Sequence, residues 1–142
     1  MKKENQETNL IEIDRERLLN VSFSTYDLPL IIKELKDEKT WKRNDRNAIT
    51  FFKSENMCVV LVILKEGAEM QPHKTNSSIN VDVIEGEIKF NTTKEVITLK
   101  KNQMLIINED IKHFLMATEE TVLLLTLAGC KVEFWEEQVL FW

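Results

Sequence analysis

The sequence from residue 67 to residue 75 reads Gly67-Ala-Glu-Met-Gln-Pro-His73-Lys-Thr75. It opens a segment that turns at Glu85-Gly86-Glu87 and closes at His113-Phe-Leu-Met-Ala117. The chain has two histidines and three glycines, and this segment contains both histidines and two of the glycines. Because imidazoles are common in functional sites and glycines mark turns, we expect residues 67–117 to specify both the fold and a site.

Short apolar runs separated by turn residues extend through most of the chain after residue 47. Residues 57–64 are apolar at every position, which is typical of a central strand covered on both faces. Runs of this length and spacing predict an all-β sandwich or barrel. The predicted strands are residues 48–53, 57–64, 78–84, 87–91, 95–99, 104–107, 113–117, 121–128 and 131–135.

One helix is predicted before the first of these strands, over about residues 28–39. Asp27 is placed to cap its free backbone N–H groups, and Pro29 is tolerated in its first turn. Apolar residues from Leu28 to Leu35 recur at helical spacing, with charged residues opposite them. The pattern predicts one N-terminal helix that packs outside the barrel through a single apolar stripe.

The predicted domain organisation is a single domain of 142 residues. Residues 1–47 form an N-terminal extension, and residues 48–142 form the barrel with an aromatic C-terminal tail. The extension ends in a polar connection, residues 41–47. We expect its one aromatic residue, Trp41, to pack on the barrel surface or in a subunit interface, with a pocket role as the alternative.

Composition excludes several classes of function. The chain has 24 acidic and 19 basic residues without a large basic cluster, so we expect no nucleic-acid partner. The longest apolar run has eight residues, too few to span a bilayer, and the first residues lack the apolar core of a signal peptide. We therefore expect a cytoplasmic protein without a membrane partner. Two cysteines, Cys58 and Cys130, do not form a disulfide framework.

Residues 67–117 resemble the two sequence motifs of the cupin superfamily. The first motif has a glycine, two histidines, a glutamate and a closing glycine. Gly67, His73 and Gly86 match it, whereas Thr75 takes the place of the second histidine and Ile79 that of the glutamate. The resemblance implies a small jelly-roll β-barrel whose motif residues face the interior, in a protein that is often a homodimer.

The second cupin motif is matched at its histidine. Asn102, Asn108 and Asp110 stand where the motif has glycine, proline and glycine, His113 matches, and Ala117 replaces an asparagine. The chain therefore keeps four of the ten anchor positions, and both of its histidines fall on such positions. The predicted fold is a cupin-like jelly roll with one N-terminal helix outside it.

The resemblance also implies where a metal would bind. In metal-binding cupins the ligands are the first-motif histidines and glutamate and the second-motif histidine, so this chain keeps His73 and His113 and loses two ligands at Thr75 and Ile79. Because catalytic metal sites usually have about three protein ligands, we expect no cofactor. A divalent metal held by His73 and His113 remains the alternative. In a further interpretation, both histidines are neutral, hydrogen-bonded groups in an apolar cavity.

Side-chain alternation along the strands predicts a ligand pocket inside the barrel. An apolar lining with a few polar groups is how small-molecule sites are usually built. His73, Thr75, His113 and Gln71 would supply the polar groups. The predicted apolar lining is Ile79, Val81, Val83, Met104, Ile106 and Leu115.

Three functions follow from these patterns. The first is a cupin-like protein that binds a small apolar or weakly acidic molecule, without a full metal site. The second is a metal-dependent oxygenase or isomerase that uses His73 and His113. The third is a structural or interaction module that acts as a homodimer, with the aromatic tail, residues 134–142, folded back on the barrel or paired with a second subunit. Whether the protein is an enzyme stays open at this point.

Overall fold

A computed structural model describes residues 22–71, 78–108 and 112–128. Within them lie two helices and nine strands. The helices are α1 (Leu28–Asp37) and α2 (Lys39–Arg43), and the strands are β1 (Arg46–Lys53), β2 (Met57–Leu64), β3 (Glu69–Met70), β4 (Ile79–Glu85), β5 (Glu87–Thr92), β6 (Val96–Lys100), β7 (Met104–Ile107), β8 (His113–Ala117) and β9 (Thr121–Ala128).

The strands form two antiparallel sheets that share one core. The five-stranded sheet has the order β1-β2-β9-β4-β7, and the four-stranded sheet has the order β3-β8-β5-β6. The largest apolar cluster contains inward-facing residues from both sheets, for example Val62 and Leu125 from the first and Ile88 and Leu115 from the second. Because the chain repeatedly crosses from one sheet to the other, the fold is a jelly roll, which confirms the predicted all-β class.

Strand positions agree closely with the prediction. The strands β2, β7, β8 and β9 have the predicted bounds, β1 and β5 differ by one or two residues at one end, and β4 and β6 are shifted by one residue. The two-residue strand β3 was not predicted. A further predicted strand, residues 131–135, lies outside the described residues.

The helix α1 begins as predicted and ends slightly earlier. The Asp27 carboxylate accepts a hydrogen bond from the Leu30 N–H at 3.2 Å, which caps the first turn. Ile31 and Leu35 are buried on the apolar stripe. The predicted helix is confirmed, and a second helix that was not predicted, the five-residue α2, follows directly after Glu38.

Both helices pack on the outer face of the five-stranded sheet. Trp41 of α2 is buried against residues of β1, β2 and β9, among them Ile49, Leu61 and Val122. The Lys65 ammonium lies 4.9 Å from the centroid of the Trp41 ring, in cation–π contact. The expectation that Trp41 packs on the barrel surface is confirmed.

The turns define two ends of the barrel. The chain passes from β4 to β5 through Gly86, and β7 runs antiparallel to β4, so β7 ends and β8 begins at the opposite end. We call these ends the Gly86 end and the His113 end. The Gly67 N–H donates to the Ala117 carbonyl and the Asn102 N–H to the Val83 carbonyl, which places both turns at the Gly86 end.

Asn102 stands where the second cupin motif has a glycine, and its backbone conformation matches the motif although its residue type does not. Its φ is +70°, in the left-handed region also occupied by Gly67 and Gly86. Among residues with a side chain, asparagine is one of those that enter this region most readily. The turn thus has a backbone conformation that a glycine, the residue of the cupin motif, also adopts.

Candidate functional site

The strand β4 presents a continuous apolar row to the barrel interior. Ile79, Val81 and Val83 have exposed fractions of 5%, 1% and 2% and belong to the inner cluster. Asn80 and Asp82 lie on the other face of the strand and are half-buried. The predicted alternation is therefore confirmed for this strand.

The strand β8 contributes the polar group of the candidate site. Leu115 and Ala117 are buried in the inner cluster, and His113, on the same face, is half-buried at the His113 end. The centroid of its ring lies 5.1 Å from that of Phe90, with the two planes tilted by 39°. Thr92 is the register partner of His113 across the sheet.

Sequence reasoning missed Phe90 as a neighbour of His113. Phe90 and Ile88 are both buried in the inner cluster, two residues apart on β5. Alternation within the predicted strand 87–91 would have placed these two large apolar residues on the inner face. Only the pairing of β5 with β8, a long-range contact, brings Phe90 to the imidazole.

The prediction that Met104 and Ile106 line the interior is wrong. Their exposed fractions are 55% and 59%, whereas Ile107 is buried and Leu105 packs partly against the inner cluster. The register explains this, because Leu105 pairs with the inward-facing Val81, and Ile107 pairs with Ile79. Four consecutive apolar residues on β7 give no alternation from which to choose the inner face.

The prediction for Gln71 is also corrected. Gln71 follows β3 and is exposed, whereas Ala68 and Met70 are buried in the inner cluster. The inward-facing residue at the end of β3 is therefore Met70. His73 and Thr75 lie outside the described residues, so their predicted place in the pocket stays a prediction.

Solved structures with a similar fold were found, although no protein-family model and no curated protein match the sequence. An RmlC-like cupin from Shewanella frigidimarina is 18% identical with a TM-score of 0.58, over 63% of this chain and 81% of that chain. An RmlC-like cupin from Desulfovibrio desulfuricans is 22% identical with a TM-score of 0.59, over 75% and 96%.

The chain has the cupin fold. Ectoine synthase from P. lautus is a further neighbour, 18% identical with a TM-score of 0.59 over 75% of this chain and 78% of that chain. At these identities the likeness concerns the fold alone. The resemblance of residues 67–117 to the cupin motifs is therefore confirmed as far as the fold is concerned.

The described part of this cupin barrel does not supply a set of metal ligands. Ile79, at the position where the cupin motif has its glutamate, is buried among apolar side chains and offers no donor atom. In residues 22–71, 78–108 and 112–128, no group of three or more His, Cys, Asp or Glu side chains is placed to hold an ion. Of the two predicted histidine ligands, His113 is among the described residues and His73 is not.

What the cupin barrel offers chemically is an imidazole at the end of an apolar interior. A histidine ring can donate a hydrogen bond from one nitrogen and accept one at the other. The neighbouring inward side chains, Phe90 and Leu115, are buried and apolar.

None of the helices in the described ranges is both long and apolar enough to cross a membrane.

Proposed function

We propose that the protein binds a small apolar or weakly acidic molecule at the His113 end of its barrel. The observation that carries the proposal is the half-buried imidazole of His113, in ring contact with Phe90, at the end of an apolar interior. A carboxylate, phenol or enol would place its oxygen on the imidazole and its carbon skeleton against the apolar side chains. Small-molecule sites usually combine an apolar lining with a few such polar groups.

The proposal is for binding, and it needs no reaction. The inner residues of β4 and β8 have no carboxylate, because Ile79, Val81, Val83 and Leu115 are all aliphatic. A hydrogen bond to a charged partner contributes about 1.5–3 kcal/mol, which is enough for one imidazole to select acids over neutral analogues.

A thermal-shift screen of small carboxylic acids, phenols and enols against the full chain tests the proposal. A ligand that binds only the folded protein at 100 times its Kd adds about 2.7 kcal/mol to the free energy of unfolding, so a specific hit raises Tm measurably. We expect acids and phenols to raise Tm more than the corresponding neutral compounds of the same shape.

The variants His113→Ala and Lys89→Ala then show where the hit binds. Loss of one charge-assisted hydrogen bond should weaken binding about tenfold or more in His113→Ala. Lys89 is on the same sheet as His113 but is exposed, so its variant should bind as the wild type does. A screen without any stabilising compound, or a hit that His113→Ala binds with unchanged affinity, contradicts the proposal.

A further inference from the structure

Part of the outer face of the five-stranded sheet is apolar and not covered by the helices. Met104 and Ile106 on its edge strand β7 have exposed fractions of 55% and 59%, and Met57 on β2 has an exposed fraction of 40%. All three alternate with inward-facing residues, so they lie on the outer face. Exposed large apolar groups that share one face of a sheet are typical of a surface that another segment covers.

The strand register shows how this surface is arranged. One cross-strand row runs from Val59 through Thr126 and Asn80 to Ile106. The next row runs through Asp82 to Met104. The helices α1 and α2 instead pack on the side of β1 and β2, through residues such as Phe51 and Leu61. We call the remaining part, Met57, Asn80, Asp82, Met104 and Ile106, the uncovered face.

The uncovered face also has an unsatisfied hydrogen-bond acceptor. Asn80 donates from its side-chain amide to the Asp82 carboxylate at 3.1 Å, which fixes the direction of the amide. The Asn80 Oδ1 atom is buried and has no hydrogen-bond partner among the described residues. Because a buried acceptor without a partner is destabilising, an N–H group docked here would stabilise the face.

The chain itself supplies an apolar segment next to this face. Ala128, the last residue of β9, is the register partner of Met57 and donates its N–H to the Ser78 carbonyl, so it lies between β2 and β4. Fourteen residues follow it in the sequence, residues 129–142. Half of them are large and apolar: Val132, Phe134, Trp135, Val139, Leu140, Phe141 and Trp142.

The distances allow this segment to reach β7. Neighbouring strands are about 4.8 Å apart, and β7 is the second strand from β9, so Ile106 lies about 10 Å to the side of the β9 axis. An extended chain spans about 3.3 Å per residue, so a few residues suffice to reach it. A tethered segment also has a high effective concentration at its own surface, which favours it over a free partner.

We propose that residues 129–142 dock on the uncovered face and cover Met104 and Ile106 with their aromatic side chains. The tryptophan indole N–H groups of the segment are donors for Asn80 Oδ1. The face is thereby assigned to a segment of the same chain rather than to a second copy. The proposal is independent of the ligand proposed at the His113 end.

Hydrogen exchange of the full chain, read by mass spectrometry, tests the proposal. In the wild type, amides in residues 131–142 should exchange at least about tenfold more slowly than in an unstructured peptide of the same sequence. Ile106→Glu and Met104→Glu place a charge on the uncovered face and should each remove this protection. Val96→Glu is the matched control, because Val96 is 57% exposed on β6 of the other sheet.

The other possible occupants of the uncovered face predict different outcomes of these measurements. Unprotected wild-type residues 131–142, or protection that survives both face variants, overturns the proposal. A fall in mass by light scattering in Ile106→Glu, with unchanged exchange of residues 131–142, assigns the face to a second copy and also overturns it. Exchange of the amides of β2 and β9 in the same experiment shows whether each variant is folded. If Ile106→Glu does not fold, Met104→Glu tests the proposal instead.

Discussion

Gly86 and Gly67 have nearly the same backbone conformation but different surroundings. Their φ angles are +89° and +87°. A Cβ added at Gly86 would collide with the Glu120 carbonyl oxygen and the Thr121 hydroxyl and would lie 2.7 Å from Thr121 Cα. A Cβ added at Gly67 would meet no heavy atom within 4 Å. The two turns therefore separate the cost of a positive φ from the cost of a steric clash.

We predict that Gly86→Ala lowers the free energy of unfolding by about 3 kcal/mol and Gly67→Ala by about 1 kcal/mol. Both variants carry the strain of a side chain at positive φ, and only Gly86→Ala must also move the backbone at residues 120 and 121. Urea denaturation of the two variants beside the wild type measures the difference. Equal losses in the two variants would show that the contact between Gly86 and Thr121 is not close.

For single residues, the sequence predicted the positions of turns better than it predicted which side chains lie in contact. Gly67 and Gly86 were recognisable because glycine is the residue that such turns require. The side chain of His113 could be placed on the inner face by alternation, and its burial agrees with this. Its contact with Phe90 depends on which strands pair, and no pattern local to either residue carries that information.

Among the elements, the strands with alternating residue types were predicted most completely. In β4, polar residues at Asn80 and Asp82 separate three apolar ones, so the inner face could be identified. In β7 every residue is apolar, and the inner face was assigned wrongly. The strand β3 has two residues and exists through its pairing with β8, so no sequence period could show it.

A buried arginine joins the two sheets where α2 leads into β1. Arg46 is 6% exposed and donates from Nη2 to the Glu69 carbonyl of β3 at 2.7 Å. Its Nε donates to the neighbouring Asp45 carboxylate at 2.8 Å. This hydrogen bond, together with the charges of Arg46 and Lys65, outweighs desolvation and holds the pKa of Asp45 below its ordinary value.

The shift gives a pH dependence with a definite sign. Because the folded-state pKa of Asp45 is lowered, its contribution to stability is present above the unfolded-state value and is lost as the pH falls through the folded-state value. We predict that Asp45→Asn lowers the free energy of unfolding by less than about 1 kcal/mol near pH 6, since the carboxylate is largely exposed.

The loss caused by Asp45→Asn should begin to shrink below about pH 4, where the carboxylate of the unfolded chain takes up a proton, and should vanish only below the lowered folded-state pKa of Asp45. Urea denaturation of both proteins between pH 6 and pH 3 measures it. A difference that stays constant over this range would mean that Arg46 gains nothing from the charge of Asp45.

For the molecule as a whole, the cupin fold positions a site without fixing its chemistry. The barrel brings the inner faces of β4 and β8 into one core, which contains Ile79 and Ala117 from the two motifs. Both of these residues differ from the motif, and Ile79 takes part in the apolar core where the motif has a carboxylate. The all-β class was predictable because turns and apolar runs indicate it, and the resemblance to the cupin motifs implied the jelly roll, whereas a ligand depends on a few side chains.

We predict that protein purified without chelators contains well below one equivalent of any transition metal, and that His113→Ala leaves this content unchanged. Two imidazoles without a carboxylate fall short of the three protein ligands that metal centres of this kind usually have. Elemental analysis of both proteins measures the content, and Tm with and without added Zn²⁺ or Mn²⁺ provides the control. One equivalent of metal that is lost in His113→Ala would instead favour a metal-dependent enzyme. In that case at least some of the ligands would have to come from residues outside the described ranges, because within those ranges no three His, Cys, Asp or Glu side chains are placed to hold an ion.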